Sequence, residues 1–282
     1  MRFVVVLAVT VAVLAGCGDN PSPRASPPSA STAAGTAAGT AGAVGTPVSF
    51  AAADGVTLAG HRFGTGPTAI VLSNMGDNDE TDWQRFAPEL TGPGYFVLTY
   101  SYRYPLRIRS LTAEMARGAV EDLRGAVAYA RAQGARRVIL IGASLGGMLT
   151  AKVAGALAVD GAVIMAAPAD RRDFDLRVED AELAAITAPK LFVVSDADPT
   201  VDPAETRQLY DRAPEPKQWR SFPGTAHGTR LFATAAGQDL GRLLAGFVAS
   251  AAVGPGLPGT TPARSAYTYE GIGRGGGRPT RR

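Results

Sequence analysis

Arg137-Val138-Ile139-Leu140-Ile141-Gly142-Ala143-Ser144-Leu145-Gly146-Gly147 is the stretch on which the reading of this chain turns. The apolar run Arg137–Ile141 predicts a buried strand. Leu145–Leu157 predicts a helix. Between them stands Gly-x-Ser-x-Gly. A turn that passes from strand to helix this sharply leaves no room for side chains at 142 and 146, which explains the two glycines. Ser144 is thereby lifted to a helix N-terminus at the carboxyl edge of a sheet, where open α/β sheets place their sites.

Outward from this turn, strands and helices alternate. Pro47–Ala52 and Val56–Phe63 flank Asp54-Gly55, a hairpin signal. Thr68–Ser73 predicts a strand and Asp79–Leu90 a helix with Trp83, Phe86, Ala87 and Leu90 at helical spacing. A strand at Tyr95–Tyr100 and a long helix over Leu111–Gln133, closed by Gly134, complete the first half. Beyond the elbow come strands at Ala162–Ala166, Leu191–Ser195 and Gln218–Phe222, and helices at Pro203–Arg212 and Leu231–Ala249. Such alternation predicts an α/β fold, a mostly parallel sheet with helices on both faces and an antiparallel edge from the opening hairpin. About 20 residues separate Pro168 from Pro189, with a short helix expected at Glu179–Ile186, too few for an independent cap domain.

In this strand–turn–helix context the chain resembles the α/β-hydrolases, over roughly residues 47–252. The resemblance implies a Ser-acid-His triad in that order along the chain. Ser144 is its nucleophile. His227, in Pro223-Gly224-Thr225-Ala226-His227-Gly228, follows the last strand, where the family keeps its histidine; the other histidine, His61, lies in the early hairpin. The family's acid follows the strand that here ends at Ser195, often as Asp-Pro. Asp198 fits that pattern, with Asp196 as the alternative, while Asp202 before Pro203 reads as a helix cap. The oxyanion hole would draw on the backbone N–H of Leu145 and on the loop after Thr68–Ser73. That loop commonly begins His-Gly; here Asn74 and Met75 occupy those places, so the second donor is Gly76, with Met75 as the alternative. Arg103 reads as structural, and Arg107, Arg109, Arg171 and Arg172 as solvated surface.

The implied chemistry is hydrolysis of a carboxylic ester, with a small acyl compound as substrate and no cofactor. Two other readings use the same residues: a non-catalytic binding lipoprotein on this fold, and an acyltransferase.

The termini read differently. Met1-Arg2 followed by apolar Phe3–Leu14 is too short for a comfortable membrane span and fits a secretory signal over residues 1–16. Leu14-Ala15-Gly16-Cys17 resembles the lipobox of bacterial lipoproteins, which implies lipidation of Cys17, with fatty acyl chains such as palmitate, and export to the outer side of the cell membrane. From Cys17 to residue 46 the chain is an Ala/Gly/Ser/Thr/Pro tether; its 29 residues after the cysteine would average about 30 Å end to end. The hydrolase domain is expected at 47–252, and a disordered basic tail at 253–282.

Charge and composition exclude other classes. The net charge of +3 is carried by the ends: five arginines and one glutamate in 253–282 give +4, residues 1–46 give +1, and the middle is −2. Nothing there suggests nucleic-acid binding. One cysteine permits no intramolecular disulfide, and two distant histidines leave little scope for a metal site, so none is expected. Oligomeric state is not legible.

Overall fold

The structure is a computed structural model and describes residues 45–76, 80–92, 94–104 and 110–253. The expectations for the signal segment, Cys17, most of the tether and the basic tail lie outside the described residues.

Strands β1 (Thr46–Ala51), β2 (Thr57–Gly64), β3 (Thr68–Ser73), β4 (Tyr95–Tyr100), β5 (Arg137–Ala143), β6 (Gly161–Met165), β7 (Lys190–Ser195) and β8 (Lys217–Phe222) form one sheet. Its order is β1-β2-β4-β3-β5-β6-β7-β8. β1 pairs antiparallel with β2, and β2 antiparallel with β4; every later pairing is parallel. The expected α/β architecture is thus present, with the hairpin as its antiparallel edge.

Helices α1 (Thr81–Gln84), α2 (Ala87–Leu90), α3 (Ala113–Ala132), α4 (Leu145–Ala156), α5 (Asp180–Ala185), α6 (Pro203–Arg212) and α7 (Gly237–Val253) cover the sheet. Alternate strand residues feed two cores. Val71, Leu140 and Ile164 pack with Leu123 of α3 and Leu149 of α4. Ile70, Leu72, Ile139, Ile141 and Val163 face the other way, toward Trp83, Phe86, Leu240 and Leu244 of α1, α7 and the turn between α1 and α2. Burial on both faces is why the central strands read as unbroken apolar runs.

The parallel register aligns the strand ends. Ser73 sits opposite Gly142, Ala143 opposite Met165, and Phe222 opposite Ser195. The loops that follow these strands therefore open at one edge.

Two helices differ from expectation. The helix over 79–90 is split into α1 and α2, with Arg85 and Phe86 between them and Pro88 in the first turn of α2, where a missing N–H costs nothing. The last helix begins at Gly237, not Leu231; Gly228–Ala233 form a 3₁₀ turn, and Thr234 is extended, its hydroxyl accepting from Ala236 N at 3.2 Å. Between β6 and β7 stand a hairpin of two-residue strands (Asp170–Arg171 and Leu176–Arg177) and α5. No cap domain stands between β6 and β7. Arg171 and Arg172 pair with Asp173 and Asp170 beside them.

Arg103 ties three segments together. Its Nε donates to Asp122 Oδ1 of α3 at 2.7 Å, and its terminal nitrogens donate to Asp54 in the β1–β2 turn at 2.5 and 2.7 Å. Burial pushes the Asp122 carboxyl up despite these bonds. Replacing Arg103 by Ala strands that buried carboxylate, so denaturant unfolding should register a loss of about 3–5 kcal/mol; a loss below about 1 kcal/mol would contradict the clamp.

Candidate active site

Ser144 caps α4 with φ 55° and ψ −119°, a conformation that side-chain-bearing residues seldom adopt. The flanking glycines make it possible. A Cβ on Gly142 would collide with the Gly146 carbonyl, and one on Gly146 would collide with Ser73 O and stand 2.6 Å from Asn74 O. Ser144 N donates to Met165 O at 2.8 Å, which fixes the elbow to β6. The Ser144 side chain makes no capping bond to its own helix, so the hydroxyl is not committed there.

His227 is buried, and its Nδ1 lies 2.7 Å from Asp198 Oδ2. A carboxylate only accepts, so Nδ1 carries a proton, and in the neutral ring Nε2 is the acceptor. Asp198 Oδ1 accepts from Thr200 N at 2.8 Å and Val201 N at 3.3 Å. Burial alone would push the Asp198 carboxyl up; the bonds from His227, Thr200 and Val201 outweigh it and hold the group below the usual carboxylate range. The other two carboxylates have different work. Asp196 Oδ1 accepts from Gly224 N at 2.9 Å and braces the loop that leads to His227. Asp202 caps α6 by accepting from Ala204 N at 2.9 Å, with Pro203 in its first turn.

The histidine loop and the elbow meet directly. A Cβ on Gly228 would stand 3.4 Å from Ala143 Cβ, so the residue after His227 lies against the residue before Ser144. Ser195 Oγ donates to Ala226 O at 2.5 Å from the end of β7. The structure thus brings Ser144, His227 and Asp198 to one edge of the sheet.

The loop after β3 is braced on several sides. Trp83 Nε1 donates to Ser73 O at 2.9 Å, Asn74 Nδ2 to Tyr100 O at 2.6 Å, and Tyr102 Oη to Asn74 O at 2.8 Å. The amide of Asn74 therefore anchors the loop to β4. Leu145 is the first residue of α4, so its N–H has no intrahelical acceptor. Met75 and Gly76 are buried beside the elbow, and neither N–H donates to a described backbone carbonyl. Sequence reasoning gave no role to Trp83, Tyr102 or Thr229 in shaping this loop. Helical spacing marked Trp83 only as core, and the partners of Tyr102 and Thr229 are distant in the chain.

His61 is not idle: its Nδ1 lies 3.0 Å from Glu80 Oε1, and Thr99 Oγ1 donates to the same carboxylate at 2.5 Å. Beside the histidine loop lies a cleft of about 370 Å³ lined by Asp82, Arg85, Phe86, Thr229, Arg230 and Phe232, among others. Phe86 and Phe232 stack at 4.0 Å along it. Ser144 and His227 do not line this cleft. Among the described residues, no group of three or more His, Cys, Asp and Glu side chains could hold a metal ion.

The sheet order and the elbow decide the fold. It is the α/β-hydrolase fold. Solved structures agree. The chain is similar to the esterase domain of a Rhodothermus marinus protein, at 24% identity and TM-score 0.56, covering 72% of this chain and 99% of that one. It is similar to an esterase from Pyrococcus furiosus, at 13% identity and TM-score 0.62, covering 73% and 91%. It is also similar to an α/β-hydrolase from Penicillium sp. sh18, at 16% identity and TM-score 0.59, covering 73% and 98%. No protein-family model matches the chain, and no curated protein matches it.

Proposed function

We propose that this α/β-hydrolase-fold chain is a serine hydrolase that cleaves carboxylic esters. The observation that carries the reading is the buried His227–Asp198 pair at 2.7 Å, on the same sheet edge as a serine held at φ 55°. An imidazole held through Nδ1 by a buried carboxylate, in a loop that lies against the elbow carrying a serine at φ 55°, is placed to act as a general base.

In the proposed reaction Ser144 Oγ attacks the ester carbonyl while His227 Nε2 takes its proton. Asp198 holds the ring through Nδ1–H and offsets the imidazolium charge. The oxyanion is received by Leu145 N–H together with the N–H of Gly76 or Met75. The tetrahedral intermediate collapses, the alcohol leaves with the proton from Nε2, and the acyl group stays on Oγ. Water, deprotonated by His227, then releases the acid and restores the serine.

The segment between β6 and β7 carries no cap, which favours water over a second alcohol as acceptor. A panel of aryl esters of increasing acyl length, with and without added alcohol acceptors, tests the reading. Release of free acid is expected; transfer to the added alcohol instead marks an acyltransferase, and no turnover across the panel favours the binding-protein alternative, whose support is the altered Asn74-Met75 loop.

The reading includes a membrane tether through Cys17, supported by the lipobox resemblance alone. Cys17→Ser should move the protein from the membrane to the soluble fraction or leave the precursor uncleaved, since two or more acyl chains are what hold such an anchor firmly. Unchanged size and membrane association in that variant would count against lipidation.

A further inference from the structure

We propose that Met75 is a positioning residue that sets the His227 loop against the oxyanion loop; the proposal rests on the serine-hydrolase reading above. The α/β-hydrolases commonly carry glycine at this place in the loop. Here the place has a long, unbranched side chain, and Met75 is 1% exposed. Its thioether lies against Gly228: a Cβ there would collide with Met75 Sδ and stand 3.4 Å from Met75 Cγ. Gly228 has φ +55°, so its conformation and its neighbour both require glycine. The same Cβ would stand 3.4 Å from Ala143 Cβ. The face of Gly228 from which a side chain would grow is therefore closed by Met75 and by the residue before Ser144.

Thr229 extends the contact. Its Oγ1 stands 3.6 Å from Met75 Sδ while it donates to Asp82 Oδ2 at 3.0 Å. The backbone of Met75 is held from behind. Tyr102 Oη fixes the Asn74 carbonyl, and because the peptide unit is planar and trans, the Met75 N–H points the opposite way from that carbonyl. One residue thus joins two parts of the site: its peptide belongs to the oxyanion loop and its thioether supports the histidine loop.

The physical consequence follows from where His227 is already held. Asp198 fixes Nδ1, but the swing of the ring about that bond is set by the backbone at 227–228. Without the thioether a gap opens beneath Gly228, and the loop is free to settle into it. A shift near 1 Å at Nε2 costs about a hundredfold in rate.

The test uses the full chain and an aryl ester. Met75→Gly should lower kcat about a hundredfold, with KM changed less than about threefold, because the substrate still binds and only proton transfer is misaligned. Met75→Leu, which refills the volume, should recover kcat to within about fivefold of the parent chain. Labelling of Ser144 by a fluorophosphonate should slow in step with kcat. A purely structural role would shift the thermal midpoint without separating kcat from KM. Should Met75→Gly fail to fold, Met75→Ala carries the same expectation. A folded Met75→Gly or Met75→Ala that keeps kcat within about threefold overturns the proposal, as does Met75→Leu falling as far as Met75→Gly. Loss of the serine-hydrolase reading shows separately, as ester turnover that survives Ser144→Ala.

Discussion

Ser144→Ala should lower kcat/KM for an activated aryl ester by at least about 10⁴-fold while the fold stays intact. The hydroxyl oxygen is the atom that the elbow presents at the helix N-terminus, and no neighbouring group at that turn can form the acyl enzyme in its place. The replacement removes no capping bond from α4. It keeps a Cβ at φ 55°, so the strain of the elbow is unchanged. Unfolding free energy should therefore move by less than about 1 kcal/mol. Circular dichroism and a denaturant titration beside the kinetics separate the two effects. Near-parental turnover in a folded variant would mean that the elbow is a structural turn.

Asp198→Asn carries the second large effect. The carboxylate accepts from His227 Nδ1–H and from two backbone amides. An amide in its place can present a donor to Nδ1, which moves the ring proton to Nε2 and removes the base. A loss of about 10⁴-fold in kcat is expected, with KM little changed. Stability against pH gives an independent sign. The native carboxyl is held below its ordinary value, so the unfolded chain binds the proton more readily. Its contribution is present above the ordinary carboxylate range and is lost as pH falls through the lower native value. Asp198→Asn should flatten that acid limb, measured as unfolding free energy at neutral pH and below about pH 5. A variant with an unchanged limb would show that the bonds to Asp198 do not favour its charged form.

Much of this arrangement was readable in the sequence because local chemistry and fold agree. Gly142 and Gly146 mark the elbow, since any side chain there meets backbone. Asp202 read as a cap because Pro203 follows it, and it caps α6. The Asp-Pro pattern favoured Asp198 over Asp196, but what each carboxylate bonds to was not legible there. All three lie in one short loop, and which of them reaches His227 depends on the bonds of Asp196 to Gly224 and of Asp198 to Thr200. The break at Arg85–Phe86 was hidden because the apolar spacing runs on through it; the packing of Trp83 and Phe86 against Phe232 continues across the gap. The contact of Met75 with Gly228 joins residues far apart in the chain. No periodicity or motif signals it. Sequence showed only that a glycine was missing from its usual place.

Mass-spectrometric mapping after incubation with a fluorophosphonate tests the central claim most directly, because it reports on the nucleophile without any choice of substrate. The account predicts one phosphonate adduct, on Ser144, formed in the parent chain and suppressed when His227 is replaced by Ala. An adduct at another residue, or no adduct in a chain that still hydrolyses esters, would contradict it.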